Sequence, residues 1–172
     1  IDFEHKVKMG IRNNRYDAMV PQVVAPLRLS GRVHAMEARL ARAHTTHRLK
    51  FTLPGPMTIV DTVADRFYGD KVKLAFAFAE LLNQEALALE ADGVDIVQFD
   101  EPAFNVYMKD AADWGVAALE RAAQGLGCKS LRVTDPEKLE GALVQARALA
   151  NQYRVPVVLE VILEKVTNIA MG

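Results

Sequence analysis

Asp100 and Glu101 directly follow the apolar run Gly93-Val94-Asp95-Ile96-Val97-Gln98-Phe99 and precede Pro102 and Ala103. Such a run reads as a strand, and acids at a strand's C-terminal end lie on the rim where parallel β/α folds place their sites. Alternation along the strand turns Asp100 away from Phe99 and Glu101, so only one of the two acids easily faces a central pocket. The same pair could instead cap a loop before Pro102. Thr52-Leu53-Pro54-Gly55-Pro56-Met57-Thr58 also follows a strand and falls on the same rim. Two prolines around a glycine make a stiff turn, which either presents backbone groups to a ligand or serves as a rigid connector. His44 and His47 sit three apart and could share a helical face, but without a third ligand they read as solvated surface. Lys6, Lys8, Arg12 and Arg15 could hold an anion and otherwise form a charged face. Cys128 has no histidine downstream to activate it and reads as a small buried side chain.

The elements that position these residues alternate between short β-rich runs and longer helical stretches. Strands are predicted at Val20–Ala25, Leu49–Leu53, Val94–Phe99, Ser130–Val133 and Val155–Leu163, with helices at Val33–His44, Asp70–Ala91, Ala111–Gln124 and Pro136–Gln152. Five strands joined by helical crossovers imply an α/β fold with a mostly parallel sheet. Asp135-Pro136 supplies an N-cap and a first-turn proline, and Asp92-Gly93 stops the long helix.

The chain has 172 residues, short of the roughly 250 of a complete eight-unit β/α barrel, and it opens on Ile1 without a methionine, which reads as a fragment. A net charge of -1 leaves no global basic field for nucleic acid or an anionic membrane. A single cysteine excludes an intrachain disulfide framework and fits a reducing, cytoplasmic setting. No run approaches the roughly 20 apolar residues of a membrane span.

Residues 4–126 resemble the catalytic-barrel core of cobalamin-independent methionine synthases. The resemblance rests on Lys8-Met9-Gly10-Ile11-Arg12-Asn13-Asn14-Arg15-Tyr16-Asp17, the stretch Thr52 to Val60, and Val97-Gln98-Phe99-Asp100-Glu101-Pro102-Ala103-Phe104. It implies a partial, TIM-type β/α barrel and a methyltransferase of methionine biosynthesis. In that family zinc binds homocysteine as its thiolate, lowering the thiol's pKa, and a methyl group passes from a folate or another carrier to the sulfur. The resemblance assigns Asp100 to the ammonium group of homocysteine, as the catalytic-site aspartate, and Glu101, Gly55 and Thr58 to the same substrate pocket. Family members carry a His-x-Cys pair of zinc ligands where this chain has Val133 and Asp135, and the later glutamate and cysteine ligands have no counterpart. The chain is therefore expected to lack a metal site and to be inactive as it stands. Thr62 occupies the position of a stacking tryptophan in folate-using members.

From Gly125 onward, Gly-Leu-Gly-Cys-Lys-Ser-Leu-Arg-Val and the closing run Asn151 to Gly172 resemble the carboxy-terminal end of glyoxylate carboligase. Thiamine diphosphate and magnesium are cofactors only under this alternative, and the motif that binds them in that family is absent. Both families carry a Gly-Leu-x-Cys-Lys-like string, so a chimera joined at 125–129 is expected, with residues 1–126 from one parent and 127–172 from the other. An inert scaffold is the remaining reading. Open sheet edges of a partial barrel invite a homo-oligomer.

Overall fold

The alternation Val7-Lys8-Met9-Gly10-Ile11 puts three apolar side chains on one face of a strand. In the computed structural model, which describes residues 1–124, 129–133, 135–153 and 157–161, this is β1 (Asp2–Ile11), paired antiparallel with β2 (Tyr16–Val23). Val7, Met9 and Ile11 pack on Ala18, Val20 and Ala64. The register shifts between Asp2 and Val7. That irregularity falls opposite Pro21, which has no N–H to give a ladder. The hairpin turn holds three consecutive residues in the left-handed region, Arg12, Asn13 and Asn14, with φ of 53°, 58° and 62°. At Gly10 a Cβ would stand 2.9 Å from Asn14 Cγ and collide with its Oδ1, so the residue under the turn has no side chain.

The remaining elements of this unit are α1 (Ala35–Ala43), β3 (Lys50–Pro54), α2 (Pro56–Val60), β4 (Ala64–Asp65), α3 (Lys71–Ala91), β5 (Ile96–Asp100), α4 (Ala103–Val106), α5 (Met108–Asp110), a π-helical turn at Ala111–Gly115, and α6 (Val116–Ala123). α3 begins where Asp70 accepts from the Val72 amide at 2.8 Å and the Lys73 amide at 3.2 Å, and ends at Gly93, φ 89°. Its Leu74, Ala75 and Phe78 close a core with Val23, Val60, Val63 and Ala118. Val72, apolar but on the outer side of the first turn, is exposed. Two polar residues are buried on α3, and each has a partner. Asn83 donates to the carbonyls of Ala122 and Gln124, tying α3 to the end of α6. Glu85 accepts from the His34 amide at 2.9 Å and from Arg32 Nε at 3.2 Å, fastening the segment before α1.

The chain divides into two units, Ile1–Gln124 and Gly125–Gly172. In the second, β6 (Lys129–Val133) and β7 (Val157–Val161) are parallel, and α7 (Leu139–Tyr153) crosses between them. Asp135 caps the preceding 3-10 turn Pro136–Lys138, accepting from the Glu137 amide at 3.1 Å. Cys128 and both ends of the expected strand Val155–Leu163, at 155–156 and 162–163, lie outside the described residues.

The architecture is α/β, but among the described residues the expected single, mostly parallel sheet gives way to three small sheets, ordered β1-β2-β4, β3-β5 and β6-β7. The first is mixed, because β1 and β2 are joined by a tight turn and tight turns connect antiparallel strands. The expected helix Ala111–Gln124 begins with the π turn and continues as α6, and its wall is close-packed. A Cβ on Gly115 would lie 2.9 Å from Phe104 Cε1 and 3.0 Å from Met57 Sδ.

Candidate active site

β3 and β5 run parallel in register, Lys50 beside Ile96 through Pro54 beside Asp100. Leu53 is buried, while Lys50, Thr52 and Asp100 are exposed. On the exposed face Lys50 Nζ donates to Gln98 Oε1 at 2.8 Å, and Gln98 Nε2 donates to Asp100 Oδ1 at 2.5 Å. This chain of two hydrogen bonds orients the Asp100 carboxylate from below and leaves Oδ2 without a protein partner among the described residues. The strand end is fixed by the Gly55 amide, which donates to the Asp100 carbonyl at 2.7 Å.

Glu101 goes the other way, as alternation requires. Its Oε2 accepts from the Met57 amide at 2.9 Å and its Oε1 from the Thr58 amide at 2.6 Å. These amides open α2, so Glu101 is the N-terminal cap that the short helix lacks in its own sequence, where Gly55 offers no side chain. Pro56 takes the first helical position, at which a missing N–H costs nothing. The stiff turn around Gly55 is thus the start of a helix. Gly55 has an ordinary extended backbone, and its need is for space, since a Cβ there would meet Glu101 Cδ at 2.5 Å. Burial pushes the Glu101 carboxyl above its ordinary value, opposed by the Thr58 and Met57 bonds and by Arg12. Thr58 Oγ1 accepts from the Ala103 amide at 3.3 Å, closing the corner between β5 and α2. Asp100, Glu101, Gly55 and Thr58 therefore meet at one strand end. Asp100 is the member of this group with an open carboxylate oxygen, and Glu101 holds the backbone.

A second polar group lies at the other end of α2. Asp61 Oδ2 accepts from Arg12 NH1 at 2.5 Å and from the Arg12 amide at 3.2 Å, and Tyr107 Oη donates to Asp61 Oδ1 at 2.7 Å. The Asn13 amide donates to Tyr107 Oη at 2.6 Å. Burial and the neighbouring Asp61 raise the Tyr107 hydroxyl's pKa. Sequence reasoning placed Arg12 in a basic cluster and passed over Asp61 and Tyr107. The pair Asn13-Asn14 was the available signal, because asparagine tolerates the left-handed backbone that makes this turn.

His44 and His47 are both exposed. No group of three or more His, Cys, Asp and Glu side chains able to hold a metal occurs among the described residues. The described residues therefore do not fit a zinc site. No described helix is long and apolar enough to cross a membrane.

The family described as cobalamin-independent synthase, catalytic domain, matches residues 10–140. The structure of a B12-independent methionine synthase from Shewanella sp. W3-18-1 in complex with selenomethionine superposes with a TM-score of 0.71 at 43% identity, over 89% of this chain and 46% of that one. A methionine synthase of Saccharolobus islandicus (strain Y.G.57.14 / Yellowstone #1) is 39% identical over 84 residues, 49% of this chain and 25% of that protein. Glyoxylate carboligase of Escherichia coli O157:H7 is 44% identical over 96 residues, 56% of this chain and 15% of that protein. The chain thus spans a quarter or less of these curated relatives. The carboligase match, at 96 residues, is longer than the part of the chain outside 10–140, so it overlaps the family match. With 10–140 matched, the chain belongs to the cobalamin-independent synthase catalytic-domain family.

Proposed function

We propose that the chain carries the amino-acid-binding corner of a homocysteine methyltransferase, with Asp100 receiving the substrate's ammonium group, and that it does not catalyse methyl transfer by itself. The observation that carries the reading is the Asp100 carboxylate, exposed at the end of β5 with one oxygen committed to Gln98 and the other open. An ammonium group donates up to three hydrogen bonds, and a pre-oriented carboxylate is its natural acceptor. Gly55, Thr58 and Glu101 act by fixing the backbone on which Asp100 stands. Zinc, where the family uses it, supplies the thiolate. No three His, Cys, Asp or Glu side chains converge among the described residues, and Val133 and Asp135 stand where the resemblance expects its ligands. Without thiolate activation, homocysteine remains largely a thiol near neutral pH, given a reference thiol pKa of about 8.5.

The same reading takes the chain as a partial barrel that joins a synthase-like part, residues 1–126, to a carboligase-like part, residues 127–172. The 44% identity to glyoxylate carboligase supports a carboligase-like part, and its 96 residues reach beyond 127–172 into the synthase-like part. β3 and β5 have no further strand partner among the described residues, which favours self-association through their edges.

Elemental analysis of the purified chain, paired with an assay of methionine formation from homocysteine and a methylfolate, tests the reading. The expected result is no stoichiometric zinc and no turnover, with homocysteine binding that is lost in Asp100→Asn. Bound zinc with turnover would overturn the inactivity, and homocysteine binding untouched by Asp100→Asn would overturn the role of Asp100.

A further inference from the structure

A cavity of about 230 Å³ opens beside α2. Its apolar surface comes from Met9, Met57, Val60, Val63, Leu74 and Trp114, and its polar rim from Asp61, Asp65, Lys71, Tyr107 and Asp110. We propose that this cavity is a binding site for a small organic cation, an alkylated ammonium or sulfonium group, seated against Trp114 and the carboxylates of Asp65 and Asp110.

Charge on the rim decides the sign of the ligand. Asp61 is neutralised by Arg12 at 2.5 Å and has both oxygens engaged. Asp65 commits Oδ1 to the amides of Phe67 and Tyr68, at 3.0 and 2.8 Å, and Oδ2 has no protein partner among the described residues. Asp110 and Lys71 make no hydrogen bond or ion pair among the described residues. Two uncompensated carboxylates against one ammonium leave the rim negative. A hydrated metal ion would find too few donors, because no three of the described His, Cys, Asp and Glu side chains converge. The walls are instead aromatic and thioether surface. An indole face attracts a cation through its quadrupole, most strongly where water is excluded. A soft cation with apolar substituents matches both the walls and the rim.

The walls are also held open. The hairpin turn of Arg12, Asn13 and Asn14 places the Asn13 amide on Tyr107 Oη and Arg12 on Asp61, fixing two rim residues. Trp114 sits on the π turn, and Gly115 beside it allows Phe104 and Met57 to close against the backbone. Three left-handed residues and a π turn are both uncommon and unfavourable by themselves, and such features gather at ligand sites. This inference does not rest on the methyltransferase reading, since none of Asp100, Glu101, Gly55 and Thr58 lines the cavity.

Trp114 is the only tryptophan, so its fluorescence reports the cavity directly. The chain is titrated with choline and, separately, with 3,3-dimethylbutan-1-ol, which has the same shape without the charge. The expected result is a saturable change with choline, at least about tenfold weaker with the alcohol. Asp110→Asn should weaken choline by a similar factor and preserve the far-UV circular dichroism. By calorimetry Trp114→Phe should retain part of the affinity and Trp114→Ala should lose it. Equal response to choline and the alcohol, no response to choline, or choline affinity unchanged in both Asp110→Asn and Trp114→Ala would overturn the proposal.

Discussion

Replacing Gly55 by Ala tests the corner at its tightest point. The residue's φ of -75° and ψ of 161° suit any L-amino acid, so backbone strain contributes nothing. The whole effect comes from the new methyl group, placed 2.5 Å from Glu101 Cδ. Glu101 must withdraw, leaving the Met57 and Thr58 amides at the start of α2 uncapped. A hydrogen bond to a charged acceptor contributes about 1.5–3 kcal/mol, and water reaching this half-open corner recovers part of it. The expected cost of Gly55→Ala is therefore about 2–4 kcal/mol. Urea unfolding followed by the fluorescence of Trp114, which lies in the same unit, measures it. Glu101→Ala alone removes the same two bonds, and in that background Gly55→Ala has nothing left to displace. The double variant should then be about as stable as Glu101→Ala, with a coupling of at least about 1 kcal/mol. A neutral Gly55→Ala, or additivity within about 0.5 kcal/mol, would refute the reasoning.

Other consequences are open to measurement. Burial raises the folded-state pKa of Glu101 above its ordinary 4.5, so the stabilisation linked to its proton is present below that pH and is lost as pH rises through the folded value. Stability measured from pH 4 upward should decline in this window relative to Glu101→Gln, and parallel profiles would contradict the assignment. Burial alone would raise Glu85, but the His34 amide, Arg32 and the Val33 amide outweigh it and hold its carboxyl below the ordinary value. Glu85→Ala leaves Arg32 with Asp92 alone and should cost about 3 kcal/mol in urea unfolding, whereas a loss under about 1 kcal/mol would show that the ion pair is replaced by solvent. Tyr107→Phe removes the hydroxyl shared by Asp61 and the Asn13 amide and should increase hydrogen exchange in the Arg12–Asn14 turn. Unchanged exchange there would mean that the turn holds itself.

The sequence made α3 legible because its apolar period, its cap at Asp70 and its stop at Gly93 agree. The β5 rim was legible for a similar reason, as a short β-rich run ends in two acids whose opposite directions follow from strand geometry. β1 was hidden because charged residues interleave its apolar face and resemble a surface patch until the Arg12–Arg15 turn is seen to close a hairpin. α2 was hidden because its cap comes from Glu101, 44 residues away from Met57. Local propensity cannot report such a partner. The Asp61–Tyr107 pair is equally non-local, its members 46 positions apart.

The central claim is that Asp100 presents its carboxylate to the ammonium group of an amino acid. Calorimetric titration with L-methionine and with 4-(methylthio)butanoate, which lacks the amino group, tests it most directly. Heat is expected with methionine, none with the desamino compound, and at least about tenfold weaker methionine binding in Asp100→Asn, as loss of a charge-assisted bond requires. Equal binding of the two compounds, or methionine binding that is unchanged in Asp100→Asn, would contradict it.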